Sequence, residues 1–281
     1  MLDSITIKKV EDFVYGKPRS VQEIAKHLNK NWRTADRYVE EIENEYGTIA
    51  TKTFREGTRG ALKIVYWASV EKLKGSVFQE ILEEQIMKGI SREDFSAFDI
   101  FQHINDDEKK VEVQEEASEE ETELIELVNF LKETKKQLII FSGNLSFINL
   151  KKNKTDIFLL LEELVKKGIS IKVICRIDLV GRENIERLLS LNFKHGKELI
   201  EIRHRQQPLR AIISDNKIFR IKEIREPTGR KNELNKKVFI FYTIKNRDWA
   251  DWLSRIFWKM FSSSVDARKR IVELNKLKLK K

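Results

Sequence analysis

Residues 20–67 read SVQEIAKHLNKNWRTADRYVEEIENEYGTIATKTFREGTRGALKIVYW, and this stretch decides what the first part of the chain is. Ser20 with Glu23 three residues on forms a capping box. Val21, Ile24, Ala25 and Leu28 then recur at helical spacing and predict a short amphipathic helix. A turn at Asn29 to Asn31 leads to a second helix starting near Trp32. It carries Ala35, Tyr38, Val39 and Ile42 on one face and Arg33, Thr34 and Arg37 on the other, near its N-terminus. After Gly47 the period changes to two: Thr48, Ala50, Thr51 and Thr53 run into the glycine-bracketed turn Glu56 to Gly60. Leu62, Ile64, Val65 and Tyr66 return, which predicts a β-hairpin. Arg55 and Arg59 flank its tip, and Lys52 and Lys63 lie on its arms.

The order helix, helix, hairpin, with Ile5 to Tyr15 as a preceding helix, resembles the winged helix-turn-helix of prokaryotic and archaeal regulators. That resemblance implies a recognition helix entering the major groove N-terminus first, so Trp32, Arg33, Thr34 and Arg37 become candidate DNA contacts. Lys52, Arg55, Arg59 and Lys63 would touch phosphates beside the groove. A small helical domain used for protein contact is the other reading, because a fold does not by itself fix a function.

A length of 281 residues suggests two domains. Hydrophobic residues at 41% suffice for real cores, and a net charge of +9 favours polyanions without separating nucleic acid from an anionic membrane. High Lys and Glu content is also a heat-adaptation signature, so part of the charge has a reading in stability. Cys175 is the single cysteine, which excludes a disulfide within the chain and sets a reducing, cytoplasmic expectation. No apolar run approaches the ~18 residues that span a bilayer, and no signal-peptide pattern opens the chain. His27, His103, His195 and His204 show no metal-ligand spacing, so neither a metal nor a cofactor is expected.

Residues 70–90 predict an amphipathic helix with Val77, Ile81, Leu82 and Ile86 on one face, packed within the subunit or paired with a second chain. Ser91 to Ile104 is dense in Phe95, Phe98 and Phe101, a core or interface signal. Asn105 to Glu123 is strongly acidic and reads as a solvated linker, or alternatively as a phosphate mimic folding back on the basic surface.

From Leu124 onward helices and strands alternate, predicting an α/β domain. Helices are expected at 124–137, 156–167 and 183–191, and strands at 137–143, 170–176 and 198–203. Paired strands over 206–224 meet near Asp215 and Asn216, and a strand at 237–244 precedes a final helix. That helix, NRDWADWLSRIFWKMF, aligns Trp249, Trp252, Leu253, Ile256, Phe257 and Met260 as a core stripe. Residues 267–281 form a basic tail, expected to be frayed.

Residues 124–261 resemble the phospholipase D superfamily, whose motif is His-x-Lys with an aspartate after four intervening residues. Matching Asp215 to that aspartate puts Arg210 at the lysine position and Pro208 at the histidine position. The nucleophile is missing, so no catalytic residue is expected. Arg210 and Asp215 remain as a vestigial phosphate or effector pocket. His195-x-Lys197 lacks the aspartate, since Ile202 stands there, and His204 is followed by Gln206 instead of lysine; both histidines read as surface or strand-edge residues.

A winged helix, a helical connector and a degenerate phospholipase D-like domain is the order of the archaeal TrmB-like regulators. The expected domains are therefore 1–69 for DNA binding, 70–123 as connector and acidic linker, 124–262 as the phospholipase D-like domain, and 263–281 as tail. The function this implies is a cytoplasmic, nucleoid-associated DNA-binding protein, a transcription regulator or packaging protein. Its C-terminal domain would serve homodimerisation or the sensing of a small-molecule effector, with double-stranded DNA as partner and no membrane. A DNA-directed phosphodiesterase and a protein-interaction module are the alternatives.

Overall fold

Asp3 opens the first helix, α1 (Ser4–Tyr15), its carboxylate accepting the Thr6 amide at 2.8 Å. A two-residue strand, β1 (Arg19–Ser20), leads into α2 (Val21–His27), where Ser20 and Glu23 make the reciprocal capping box. Asn31 caps α3 (Trp32–Glu45). The three helices bury Val10, Val14, Ile24, Ala25, Ala35, Val39 and Ile42 against one another. Gly47, at φ +65°, turns the chain into β2 (Ile49–Arg55), which pairs antiparallel with β3 (Ala61–Trp67). β1 closes a three-stranded sheet in the order β1-β3-β2.

This is a computed structural model, and it describes residues 2–55, 61–68, 75–115, 119–152, 155–227 and 236–278. The hairpin tip, including Arg59, and residues 228–235 lie outside the described residues, as do the side chains of Arg55 and Val77.

The chain continues through α4 (Gly75–Lys88), α5 (Phe98–Phe101), β4 (Lys109–Glu115), α6 (Glu119–Lys132) and β5 (Gln137–Phe141). A small hairpin, β6 (Lys151–Lys152) and β7 (Thr155–Asp156), precedes α7 (Ile157–Lys166), β8 (Ser170–Cys175), α8 (Arg182–His195) and β9 (Ile200–His204). Then come β10 (Ala211–Ser214), β11 (Ile218–Arg225), β12 (Val238–Ile244), α9 (Arg247–Ser262), β13 (Val265–Asp266) and α10 (Ala267–Lys278). Eight strands form one mixed sheet in the order β13-β9-β8-β5-β10-β11-β12-β4. The β5, β8 and β9 pairings are parallel, as helical crossovers require, and the hairpin and edge pairings are antiparallel. The architecture is therefore mixed α/β around a large mixed sheet.

Side-chain alternation divides the core in two. On β5, Leu138 and Ile140 face α6, α7, α8 and α10, while Ile139 and Phe141 face α9. The tryptophan- and phenylalanine-rich stripe of α9 is buried as its spacing predicted. The α9 side also takes Leu82 and Ile86 of α4, the three phenylalanines 95, 98 and 101, and Phe54, Leu62 and Ile64 of the hairpin. Phe54 meets Phe98, Phe101 and Tyr242 edge-on at centroid distances of 6.1, 6.1 and 6.4 Å. The hairpin thus shares a core with the large sheet, and each fully buried aromatic there contributes about 1.5–3 kcal/mol.

Three expectations fail here. Residues 109–115 were expected in a solvated linker, but they pair along their whole length with β12, from Lys109↔Ile244 to Glu115↔Val238. Val111 and Val113 pack on the core, Gln114 is buried, and Glu112 takes the Arg220 guanidinium at 2.9 Å, so the charge hides a period-two strand. The last segment is no frayed tail over 267–278: it is α10, with Ala267 and Leu274 buried in the second core and β13 paired to β9 ahead of it. Ile81, expected on the apolar face of α4, is 42% exposed, while Leu82 and Ile86 carry the burial.

Candidate nucleic-acid interface

The exposed side of α3 is the first place where unpaired charge collects. Asn31 Oδ1 accepts the Thr34 amide at 2.8 Å and fixes the start of the helix, with Trp32 half-buried against the helical core. Arg33 and Arg37 are exposed, one helical turn apart, and lie over the rings of their neighbours Trp32 and Tyr38 at 5.7 and 5.5 Å. Among the described residues, neither guanidinium has a carboxylate within salt-bridge distance. Thr34 is half-buried beside them.

The hairpin cations do not extend this surface in the way the sequence suggested. Lys63 stands opposite Thr53 and turns toward α3, where its ammonium donates to Asp36 Oδ1 at 2.6 Å and to Glu40 Oε1 at 3.0 Å. Burial works to lower the Lys63 pKa, but the two carboxylates outweigh it and hold the group above its ordinary value. Lys63 therefore braces the hairpin to α3 and is not a free phosphate contact. Lys52 stands opposite Ile64, two residues before Phe54 and on the same side of the pleat, and is exposed. Arg55 ends β2, and its charge lies outside the described residues together with Arg59.

The motif residues of the large sheet are also separated. Asp215 sits in the β10–β11 turn at φ +53°, followed by Asn216 at φ +54°, a two-residue left-handed turn that suits Asp and Asn. Its carboxylate accepts the backbone amides of Lys135, Lys136 and Gln137 at 2.8–2.9 Å, which hold it below its ordinary pKa against the opposing effect of burial. Arg210 is at the other end of the same strand, over Gly143. Five residue steps of extended chain amount to roughly 16 Å. Arg210 and Asp215 do not form one pocket; Asp215 is a turn clamp.

At Pro208 the connector closes in. A Cβ at Gly89, just past α4, would lie 2.7 Å from Pro208 Cγ, so the backbone after α4 is seated on the proline ring. His204 Nδ1 accepts the Ile177 amide at 2.9 Å, and His195 Nε2 meets Glu162 Oε1 at 3.0 Å, so both histidines are tied into local structure. The Cys175 thiol is fully buried and pushed up to about 12, which leaves it inert. Among the described residues, no group of three or more His, Cys, Asp or Glu could hold a metal ion, and no helix is long and apolar enough to cross a membrane.

One group escaped sequence reasoning altogether. Arg225, at the end of β11, is 5% exposed and donates to Glu23 Oε2 at 2.7 Å and to the Pro18 carbonyl, while pairing with Glu223 Oε1 at 2.5 Å. Glu23 is the capping residue of α2, so this ion pair joins the helical unit to the large sheet. Burial, then Glu223, pushes the nearby Asp99 carboxyl up to about 8. The unfolded carboxyl ionises near 3.8, so between the two values the folded chain holds the extra proton. This group's contribution to stability is thus complete below about 3.8 and is lost as pH rises toward 8. Asp99→Asn should flatten that slope in urea melts taken from pH 4 to pH 8, and an unchanged slope would refute the assignment.

No family model matches the chain, and no curated protein matches it in sequence. Similar solved structures include an archaeal chromatin protein, TrmBL2, at 13% identity over 94% of this chain and 95% of that one, with a TM-score of 0.38. They also include Nuc from Salmonella typhimurium, a phospholipase D family member, at 13% identity over 57% of this chain and 98% of that one, TM-score 0.38. NucT from Helicobacter pylori is similar at 15% identity over 57% of this chain and 99% of that one, TM-score 0.39.

Proposed function

We propose that the chain is a double-stranded-DNA-binding protein, a transcription regulator or a nucleoid-associated protein, that reads or grips the duplex with α3. The observation that carries this is the pair Arg33 and Arg37: two exposed guanidinium groups on one face near the N-terminus of a helix whose opposite face is buried. α2 and α3 with the β2–β3 hairpin act as a winged helix-turn-helix, in which that part of the second helix lies along the major groove. Lys63, clamped to Asp36 and Glu40, fixes the angle between wing and helix. The large sheet catalyses no phosphodiester transfer, because a proline with the backbone of Gly89 seated on its ring offers neither a nucleophile nor a proton shuttle. Its role is assembly or sensing. A homodimer would present two α3 helices to successive major grooves, roughly 34 Å apart.

Fluorescence anisotropy of the full chain with a labelled random duplex over a salt series tests the reading. Affinity should fall steeply, with a log-log slope of roughly −0.9 for each phosphate neutralised. Absence of binding at low salt would remove this reading in favour of protein contact. Chromatin immunoprecipitation with sequencing then divides the two roles: discrete peaks for a regulator, broad coverage for a packaging protein.

A further inference from the structure

A partly open cavity with cationic side chains in its lining lies in the second half of the chain. It has a volume of about 200 Å³ and lies on the α6 side of the large sheet. Its floor is Ile140, Ile212, Ile224 and Phe241 of β5, β10, β11 and β12, and Leu127 of α6 and Phe147 form a wall. Arg210 stands at one end, and Lys222, with its ammonium 4.2 Å from the Phe239 ring centre and 5.2 Å from that of Phe241, rises from the floor. No Asp or Glu is among the described lining residues.

Arg210 is held in place by sequence-encoded space. Gly143, just past β5, has no side chain, and a Cβ there would lie 2.9–3.1 Å from the Arg210 Nη2, Nε and Cζ atoms. The guanidinium therefore lies against bare backbone. It makes one hydrogen bond among the described residues, from Nη1 to the Leu209 carbonyl at 2.7 Å. A guanidinium has five N–H donors in a planar fork, so the outer edge of this one remains available to a planar anion. Arg176 and Arg92 stand near enough to repel it, while Arg176 pairs with Asp178 and Arg92 with Glu93 and Glu226. Of these three arginines, Arg210 is the one without a carboxylate at ion-pair distance among the described residues.

Size and lining choose among anions. Inorganic phosphate would leave the apolar floor empty, whereas a cavity of about 150 Å³ already accommodates a benzene ring. We infer that this cavity binds a small carboxylate with an apolar body of about one ring, its carboxylate forked onto Arg210 and its body on Ile140, Ile212 and Phe241. The inference stands apart from the DNA reading, since its measurement involves no DNA.

Isothermal titration calorimetry of the full chain with phenylacetate tests it, with 2-phenylethanol and inorganic phosphate as parallel titrants. Phenylacetate should bind, and the neutral alcohol and phosphate should bind at least about tenfold more weakly, since a charge-assisted pair contributes about 1.5–3 kcal/mol. Arg210→Met should lower phenylacetate affinity on the order of tenfold to a hundredfold on the same basis. Gly143→Ala, which only has to push aside the end of a flexible side chain, should weaken it several-fold while leaving the circular dichroism spectrum unchanged. If Arg210→Met does not fold, Gly143→Ala decides alone. Absent phenylacetate binding, equal binding of the alcohol, tighter binding of phosphate, or unaltered affinity in a folded variant would each overturn the inference.

Discussion

Arg225→Met is expected to cost the folded chain about 3–5 kcal/mol, the range found when one member of a buried ion pair is removed. The size of the effect follows from what is left behind. Among the described residues Glu223, 9% exposed, would keep only the Ser96 hydroxyl, 3.2 Å from both carboxylate oxygens, as hydrogen-bond partner, with the Lys17 charge farther off. Asp99 adds a further carboxyl close by, already forced toward its neutral form. Glu23 would fall back on Ser20 and on Arg19 at 3.7 Å. Because Glu23 is partly exposed, its share of the loss is the smaller one. Urea denaturation at pH 7 measures the total. The double variant Arg225→Met with Glu223→Gln should recover part of the loss, since the orphaned charge is gone, and that non-additivity identifies the pair as the cause. A single-variant loss below about 1 kcal/mol would mean that water reaches the site and the joint is not a buried one.

The joint also explains why the domain organisation was only partly legible in the sequence. Local signals were faithful: the Ser20–Glu23 capping box, the turn at Asp215 and Asn216, and the α9 stripe all depend on neighbours within a turn or two, and all appear where the pattern put them. β4 was misread because its inward residues, Val111 and Val113, alternate with Glu112, whose charge is met by Arg220 of β11, and follow Lys109 and Lys110, which pair with Asp106 and with Glu112 and Glu126. α10 was misread because its basic composition conceals Ala267 and Leu274, which meet the second core. The candidate sites divide in the same way. Spacing placed Arg33 and Arg37 on one helix face, a local property. Lys63's capture by Asp36 and Glu40, the separation of Arg210 from Asp215 and the pairing of Arg225 with Glu23, 202 residues apart, belong to tertiary geometry that periodicity does not encode.

Replacing Arg33 and Arg37 together by alanine should lower affinity for duplex DNA on the order of thirtyfold or more, from a loss of about 1–3 kcal/mol per contact. Both side chains are exposed, and neither is paired to a carboxylate among the described residues, so stability should change by no more than about 0.5 kcal/mol each. A loss of binding is then attributable to the interface. The salt series shows what each guanidinium touches. If both lie on phosphates, the log-log slope becomes shallower by roughly 1.8, whereas base-edge contacts lower affinity with little change in slope and relax sequence preference. Lys63→Ala provides the contrast: its charge is already matched by Asp36 and Glu40, so any effect on DNA should come through a loosened wing and leave the slope near that of the unaltered chain. Unchanged anisotropy titrations for the double alanine variant would show that α3 is not the helix that meets DNA. An effect of Lys63→Ala on the slope as large as that of an arginine would place the hairpin, and not α3, at the centre of the interface.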